Sequence, residues 1–349
     1  MANIQVPINP EFPDVYQWEL EDDVIGGPDG IATRPIRELT ERTAFLKKDT
    51  KTLSALHADM ADGTGRDLRL VFGIESTNPA VYIPQIMAEI RRRCNNSGEI
   101  DNTGIPDFRG LMLGDYIDGI SLDGIAVTTG GTAPQAWNDT YKNNRVVIAG
   151  FNTYKSMGYD YWDGNDYVPG ENDKNHILFV FRNVIAMAKM NQTNTNTGGY
   201  AASELRTWLE GQYGIGDGVV ATKLKQQLGG EYLCTICKYH STKGGSTNGG
   251  YTLWIPSEIE IFGVPCLGDE GVYDGNSNRV GNLMPIQIPL YQRSYEYRIK
   301  RRNGYRDWYW TQTPSASSAA HFCGCCGGGD ADDVSASAAC GVAPAFCVA

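Results

Sequence analysis

The chain has no run of about 18 consecutive apolar residues, the least that a membrane-spanning helix needs, so a helical span is excluded. Its opening residues, Met1 to Pro7, lack the basic region and apolar stretch of a secretory signal, and none is expected. Positive charge is scarce as well. Thirty Lys and Arg stand against 41 Asp and Glu, a formal net charge of −11. Such a chain repels phosphate backbones, which argues against nucleic acid as its partner. Also missing are a nucleotide-binding glycine loop, a Ser-His-Asp order and a paired-carboxylate motif, the sequence signatures of common catalysis. What is present is an ordinary globular composition, 41% hydrophobic and 20% charged over 349 residues. That length suits about two folded units. The 41 glycines follow no collagen-like period, so tight turns and long loops are expected in place of a helical bundle.

Cysteine is present in an odd number, nine, and five of these (Cys323, Cys325, Cys326, Cys340, Cys347) fall in the last 27 residues. A disulfide scaffold spreads and pairs its cysteines, so reduced thiols are expected. Cys234-Thr-Ile-Cys237, followed by His240, is half of a zinc spacing whose second half is missing. Leu233 to Cys237 alternates as a strand does, and the two cysteines are expected there as small buried hydrophobes, not metal ligands. The acids of 159–175 (Asp160, Asp163, Asp166, Glu171, Asp173) do not follow the order of an EF-hand loop. A solvated acidic loop is expected, and neither metal nor cofactor.

Residues 1–35 are turn-rich, with Gly26-Gly-Pro-Asp-Gly30 forbidding a helix. Pro35 then sits at a natural first helical position after Thr33. From there a heptad runs with Ile36, Thr43, Thr50 and His57 at a, and Leu39, Leu46, Leu53 and Met60 at d. A weak coiled coil and an amphipathic helix packed on another surface fit it equally. A second helix is expected over Val81–Arg93, with Arg91, Arg92 and Arg93 as solvated structure at its negative end. Helices are also expected over Ala201–Glu210 and Val219–Leu228. Strands are expected at Arg145–Ala149, His176–Phe181, Tyr251–Ile255 and Gly341–Val348. The pattern is α+β with a mostly antiparallel sheet.

Residues 315–340 differ from the rest. Ala, Ser, Gly and Cys make 20 of the 26 residues, and no period of 3.6 or 2.0 is visible, so pattern rules make the tract a loop. It lies between Trp308-Tyr-Trp310 and the apolar end of the chain, and is therefore expected to be displayed by the fold. All eight of its residue types are encodable by codons of the form NNC. Lys, Glu, Gln, Met and Trp, which such codons never encode, are absent from it.

Two resemblances follow from these segments. Asp22–Lys47, containing Val-Ile-Gly-Gly-Pro-Asp-Gly-Ile-Ala-Thr-Arg-Pro, resembles the N-terminal segment of bacteriophage and prophage tail-fibre proteins. Gly114-Asp115-Tyr116, Arg145–Gly150, Trp254–Gly263, Trp310–Pro314 and Gly341–Phe346 resemble a C-type-lectin-like (formylglycine-generating-enzyme-like) module. That module occurs in phage tail proteins and in the variable proteins of diversity-generating retroelements, where adenine-directed errors turn AAC codons into NNC. The resemblance implies tail attachment by 1–35, a helix or short coiled coil over 36–60, a linker or small helical region over 61–104, and a ligand-binding domain over 105–349. Within the tract it implies Phe322, Cys323 and Ala316 as fixed framework. It implies Ser315, Ser317, Ser318, His321, Gly324, Cys326, Gly327, Gly328, Asp330, Asp332, Asp333 and Val334 as diversified sites facing the surface. Trp308 and Tyr309 would flank them as aromatic anchors, while Trp310 is expected in the core.

The function expected is host-surface recognition by a tail receptor-binding protein in the virion, made in the bacterial cytoplasm without a signal. Its partners would be a host surface protein or glycan and other tail proteins, in a homotrimer, with no nucleic acid and no membrane insertion. The alternatives are a structural tail subunit without receptor contact and an oxidase of the formylglycine-generating type. The oxidase would need a reactive cysteine, yet His321 and three aspartates are the only ionisable neighbours the tract offers its thiols besides one another.

Overall fold

Short runs of β-branched and aromatic residues buried on both faces build the centre of the molecule. The computed structural model describes Thr43 and residues 65–95, 105–122, 125, 144–155, 160–162, 165–212, 214–230, 233–242, 245–268 and 286–349. The expected turn segment 1–35 and, Thr43 apart, the Ile36–Met60 seam lie outside the described residues. All elements named below belong to the compact unit 65–349.

The first sheet has the order β1 (Tyr116–Ile120), β2 (Asn144–Phe151), β5 (Ile177–Phe181), β16 (Ala345–Val348), β7 (Leu233–Cys234), and every pairing is antiparallel. Its middle strands are apolar on both faces, as a sheet covered on both sides requires. Phe346 stacks on Phe179 at 5.6 Å and meets Phe181 at 6.1 Å. The second sheet has the order β14 (Ala331–Ser335), β13 (His321–Cys325), β12 (Tyr309–Pro314), β15 (Cys340–Val342), β6 (Ala186–Ala188). Only β12 and β15 run parallel there. Two-stranded ribbons add β3 (Asp160–Trp162) with β4 (Tyr167–Pro169), β8 (Ile236–Thr242) with β9 (Gly245–Tyr251), and β10 (Lys300–Arg302) with β11 (Tyr305–Asp307). The class is α+β, as the pattern of elements predicts.

Helix α1 (Leu68–Val71) leads to α2 (Pro79–Cys94), which starts where a cap and a proline coincide. The Asn78 side chain accepts from the Ala80 amide at 3.1 Å, and Pro79 supplies the first helical residue. Ile83, Ile86, Met87 and Ile90 are buried on one face. At its end Arg92 and Arg93 pair with Glu89 at 2.7 and 2.8 Å, consistent with a structural role. Helix α3 (Glu204–Glu210) is shorter than the Ala201–Glu210 expected. Tyr200–Ala202 form a 3-10 turn, and Ser203 then caps α3 by accepting from the Arg206 amide at 3.1 Å. Helix α4 (Val219–Leu228) has the expected bounds and ends at left-handed Gly229, φ 87°. Short helices α5 (Glu258–Phe262) and α6 (Pro289–Arg293) follow.

Three expectations need correction. Tyr251–Ile255 is no strand: β9 ends at Tyr251, and Trp254 makes only an isolated bridge to Ala345. Pro256 and the capping box of Ser257 and Glu260 begin α5 immediately, so extension cannot continue. Gly341–Val348 is two strands in two sheets, because Pro344 has no N–H to carry a ladder through. The 315–340 tract is not a loop but contains the hairpin β13–β14. Cys234 and Cys237 are buried strand residues, Cys234 opposite Cys347 in the first sheet. Among the acids of 159–175, Asp160, Asp166 and Asp173 are exposed, whereas Glu171 accepts from the Thr235 amide at 2.7 Å. Asp163 lies outside the described residues.

Candidate ligand-binding face

Strand β12 fixes the tract from beside it in the same sheet. All six of its residues are buried, and Trp310 packs edge-on to Phe322 at 6.5 Å while its indole donates to the Ala188 carbonyl at 2.9 Å. Tyr309 pairs with Cys325 and Trp310 with Gly324, which sets β13. In turn β13 pairs residue by residue with β14, from His321 with Ser335 to Cys325 with Ala331. Strand β14 is the edge of its sheet, and each of its five residues is half-buried. Small side chains make this pairing possible. A Cβ on Gly324 would stand 3.2 Å from the Tyr309 carbonyl and 3.5 Å from Val334.

The two ends of the hairpin are tied down differently. At the tip, the Cys326 amide donates to the Asp330 carbonyl at 2.8 Å, and the Gly329 amide returns to the Cys326 carbonyl at 2.9 Å. Gly329 is left-handed, φ 93°, and a Cβ there would strike the Tyr295 ring at 2.9 Å. The Tyr295 hydroxyl donates to the Gly328 carbonyl at 2.5 Å and reaches Asp330 at 3.1 Å. At the base, Ser315 Oγ donates to Asp333 Oδ2 at 2.9 Å and lies 3.1 Å from Ser317 Oγ. His321 Nδ1 sits 3.3 Å from the other Asp333 oxygen. Ser315 bonds Asp333 directly and not the imidazole, so no nucleophile-base relay is formed. The arrangement is a small polar cluster able to exchange hydrogen bonds with a ligand.

Behind it stand residues that the sequence reading missed. Buried Asn196 donates Nδ2 to the carbonyls of Ser318 at 2.7 Å and His321 at 2.9 Å, and its amide donates to the Ala319 carbonyl at 2.8 Å. Asn194 accepts from Ser335 Oγ at 2.6 Å. The run Asn191-Gln-Thr-Asn-Thr-Asn-Thr-Gly was the available signal, since asparagine side chains bond backbone groups in such turns. Glu258, fully buried, accepts from the amides of Leu267 and Gly268 at 3.1 and 2.8 Å. Gly268 in turn bridges Ser315.

The tract's expected surface residues thus divide. Ser317 and Asp330 are exposed, and Ser318, His321, Cys326, Gly327, Gly328, Asp332, Asp333 and Val334 are half-buried. Ser315, Gly324 and Tyr309 are buried and do not face solvent, which corrects the expectation for all three. The bridge to Gly268 covers Ser315, the narrow gap to the Tyr309 carbonyl closes on Gly324, and Tyr309 itself sits in β12 between β13 and β15. Trp308 remains 39% exposed and is available as an anchor. Of the three residues expected as fixed framework, Phe322 and Cys323 are fully buried and Ala316 is exposed.

Three of the tract's four thiols are buried, which disfavours their thiolate form. Burial pushes Cys323 far up, and the Glu258 charge adds to it. Burial likewise pushes Cys325 and Cys340 up to about 12. A family profile described as a domain of unknown function (DUF6273) matches residues 174–349, half of the chain. The chain belongs to that family. No curated protein and no solved structure matches it. The DUF6273 span contains the whole second sheet and the tract, whereas β1 and β2 of the first sheet precede it.

Proposed function

We propose that this chain is a phage or prophage tail receptor-binding protein that offers residues 315–340 to a host-surface protein or glycan. Its C-terminal region is read as a C-type-lectin-like module of the retroelement-variable kind, and its N-terminal segment as the tail attachment of a homotrimer. One observation carries the reading. The tract is an edge hairpin whose backbone is held by β12, Tyr295 and Asn196, while Ser317, Asp330, Asp332 and Asp333 stay at least partly open to solvent. Side chains on such a frame change ligand chemistry without rebuilding the core. The NNC-only vocabulary of the tract agrees with that use. The oxidase alternative needs a thiolate nucleophile, and burial disfavours that form at Cys323, Cys325 and Cys340, which leaves it half-buried Cys326 alone within the tract.

Adsorption of particles carrying Asp330→Ala or Asp332→Asn tests the proposal. Lost adsorption by intact particles is the expected result. Normal adsorption by both variants would leave the tract without a receptor role and return the chain to a structural part of the tail.

A further inference from the structure

Among its described residues this acidic chain has a strongly basic cleft. About 280 Å³ in volume, it is lined by Arg145, Arg182, Arg301 and Arg302, with Asp118 as the one carboxylate of its lining. Short-range bonds fix the segments that carry these groups. The Arg182 amide donates to the Arg145 carbonyl at 2.9 Å, joining the end of β5 to β2. The Val184 amide donates to the Arg301 carbonyl at 3.2 Å, and the Arg301 amide to Asn183 Oδ1 at 3.2 Å, which seats β10 against them.

Charge within the cleft is not balanced. Asp118 is fully engaged by Arg145 through two bonds of 2.7 Å, and that guanidinium lies 3.5 Å over the Tyr116 ring. Arg302 donates through Nε to Asp307. Arg182 donates to the Ile299 carbonyl at 2.9 Å and lies 5.2 Å over the Tyr297 ring. Arg301 donates to the Gly304 carbonyl at 3.2 Å. Neither Arg182 nor Arg301 makes an ion pair with a carboxylate among the described residues. Burial pushes the Arg182 pKa down, and the nearby Arg301 charge pushes the same way. Two like charges left facing neutral carbonyls in a partly enclosed space are stabilised by an incoming anion. Guanidinium forks match the oxygens of phosphoryl and sulfuryl groups.

We propose that this cleft binds a phosphate- or sulfate-bearing ligand, its tetrahedral oxyanion seated between Arg182 and Arg301. Asn183, whose oxygen is held by the Arg301 amide, keeps its side-chain N–H groups to donate, and Asn303 also lines the cleft. The site stands independently of the receptor-binding reading, since it uses none of the tract. It is tested on the full chain by calorimetric titration with inorganic phosphate and with inorganic sulfate, beside acetate and chloride at equal ionic strength. Saturable binding of phosphate or sulfate is expected, weakened at least about tenfold in Arg301→Gln. Arg306→Gln, outside the cleft lining, should bind as the wild type does. Asn303→Asp keeps every arginine and introduces a carboxylate, so it should abolish binding even if Arg301→Gln folds poorly. Heat that merely follows ionic strength, acetate binding as tight as the tetrahedral ions, or unchanged binding in Asn303→Asp would each overturn the proposal.

Discussion

His176 is fixed as a single tautomer by its neighbours. Nε2 accepts from the Tyr154 amide at 3.1 Å, which leaves Nδ1 to donate to the Lys174 carbonyl at 2.9 Å. Burial pushes its pKa down to about 4, against an unfolded value of about 6.5. Between those values the unfolded chain takes up a proton that the folded chain refuses. This contribution to stability is complete above about pH 6.5 and is lost as pH falls toward 4, by up to about 1.4 kcal/mol per unit. Glu210 behaves in the opposite sense. Burial pushes it up to about 8, although Arg206 and the amides of Thr252 and Gly214 oppose the shift. Its contribution is complete below about pH 4.5 and is lost as pH rises through about 8. Melting measured from about pH 4 to about pH 9 should therefore fall on both sides of a mid-acid optimum. Glu210→Gln should flatten the alkaline side alone; an unchanged alkaline slope in that variant would sink the assignment.

At the scale of elements, the hairpin β13–β14 sets buried positions on β13 beside half-buried ones on β14. Trp310→Ala should cost about 3–5 kcal/mol, because it empties a packed site and orphans the contact to Phe322. Ser317→Ala and Asp330→Ala should stay within about 0.5 kcal/mol, as open substitutions do. Ser315 does not belong with them, since its loss takes the donor from Asp333 Oδ2 and should cost about 1–3 kcal/mol. Asn196→Ala should cost a similar amount and speed hydrogen exchange of the amides that pair β13 with β14, while β16 stays protected. A thermal-melt panel with exchange measured by mass spectrometry checks all of these. Apolar periodicity made α2, α4, β2 and β5 legible, because Ile83, Ile86, Met87 and Ile90 recur at helical spacing and Val146 to Ala149 do not. The hairpin was illegible because Ala, Ser, Gly and Cys carry too little hydropathy contrast for a period of two to register. The burial of Ser315 and Gly324 comes from Gly268 and Tyr309, distant in sequence, and no local pattern encodes that. Phe322 and Cys323 are buried, while Asn196 lay hidden in a run that reads as an ordinary polar loop.

For the whole molecule, the family boundary and the folding boundary do not coincide. The DUF6273 span begins at residue 174, yet the first sheet runs β1-β2-β5-β16-β7, so two of its five strands come from earlier in the chain. Val146, Val147 and Ile148 of β2 are fully buried against the rest, as are Ile83, Ile86 and Ile90 of α2. A fragment 174–349 would expose the whole paired edge of β5 together with the apolar surface those residues cover. An open, flat, apolar edge strand invites pairing between chains. That fragment is expected to aggregate or to lose cooperative melting. A fragment 65–349 retains every strand of both large sheets and forms a compact unit by itself, so it should melt as the full chain does. Residues 1–64 would then carry assembly alone: light scattering should report a trimer for the full chain and a monomer for 65–349 at the same concentration. If the heptad expected from the sequence pairs between chains, Leu39, Leu46, Leu53 and Met60 would be its apolar d positions, and threonine at two a positions would make it weak. A trimer that persists in 65–349 would move the assembly contacts onto the sheets, and a 174–349 fragment that melts cooperatively would make β1, β2 and α2 dispensable to the fold.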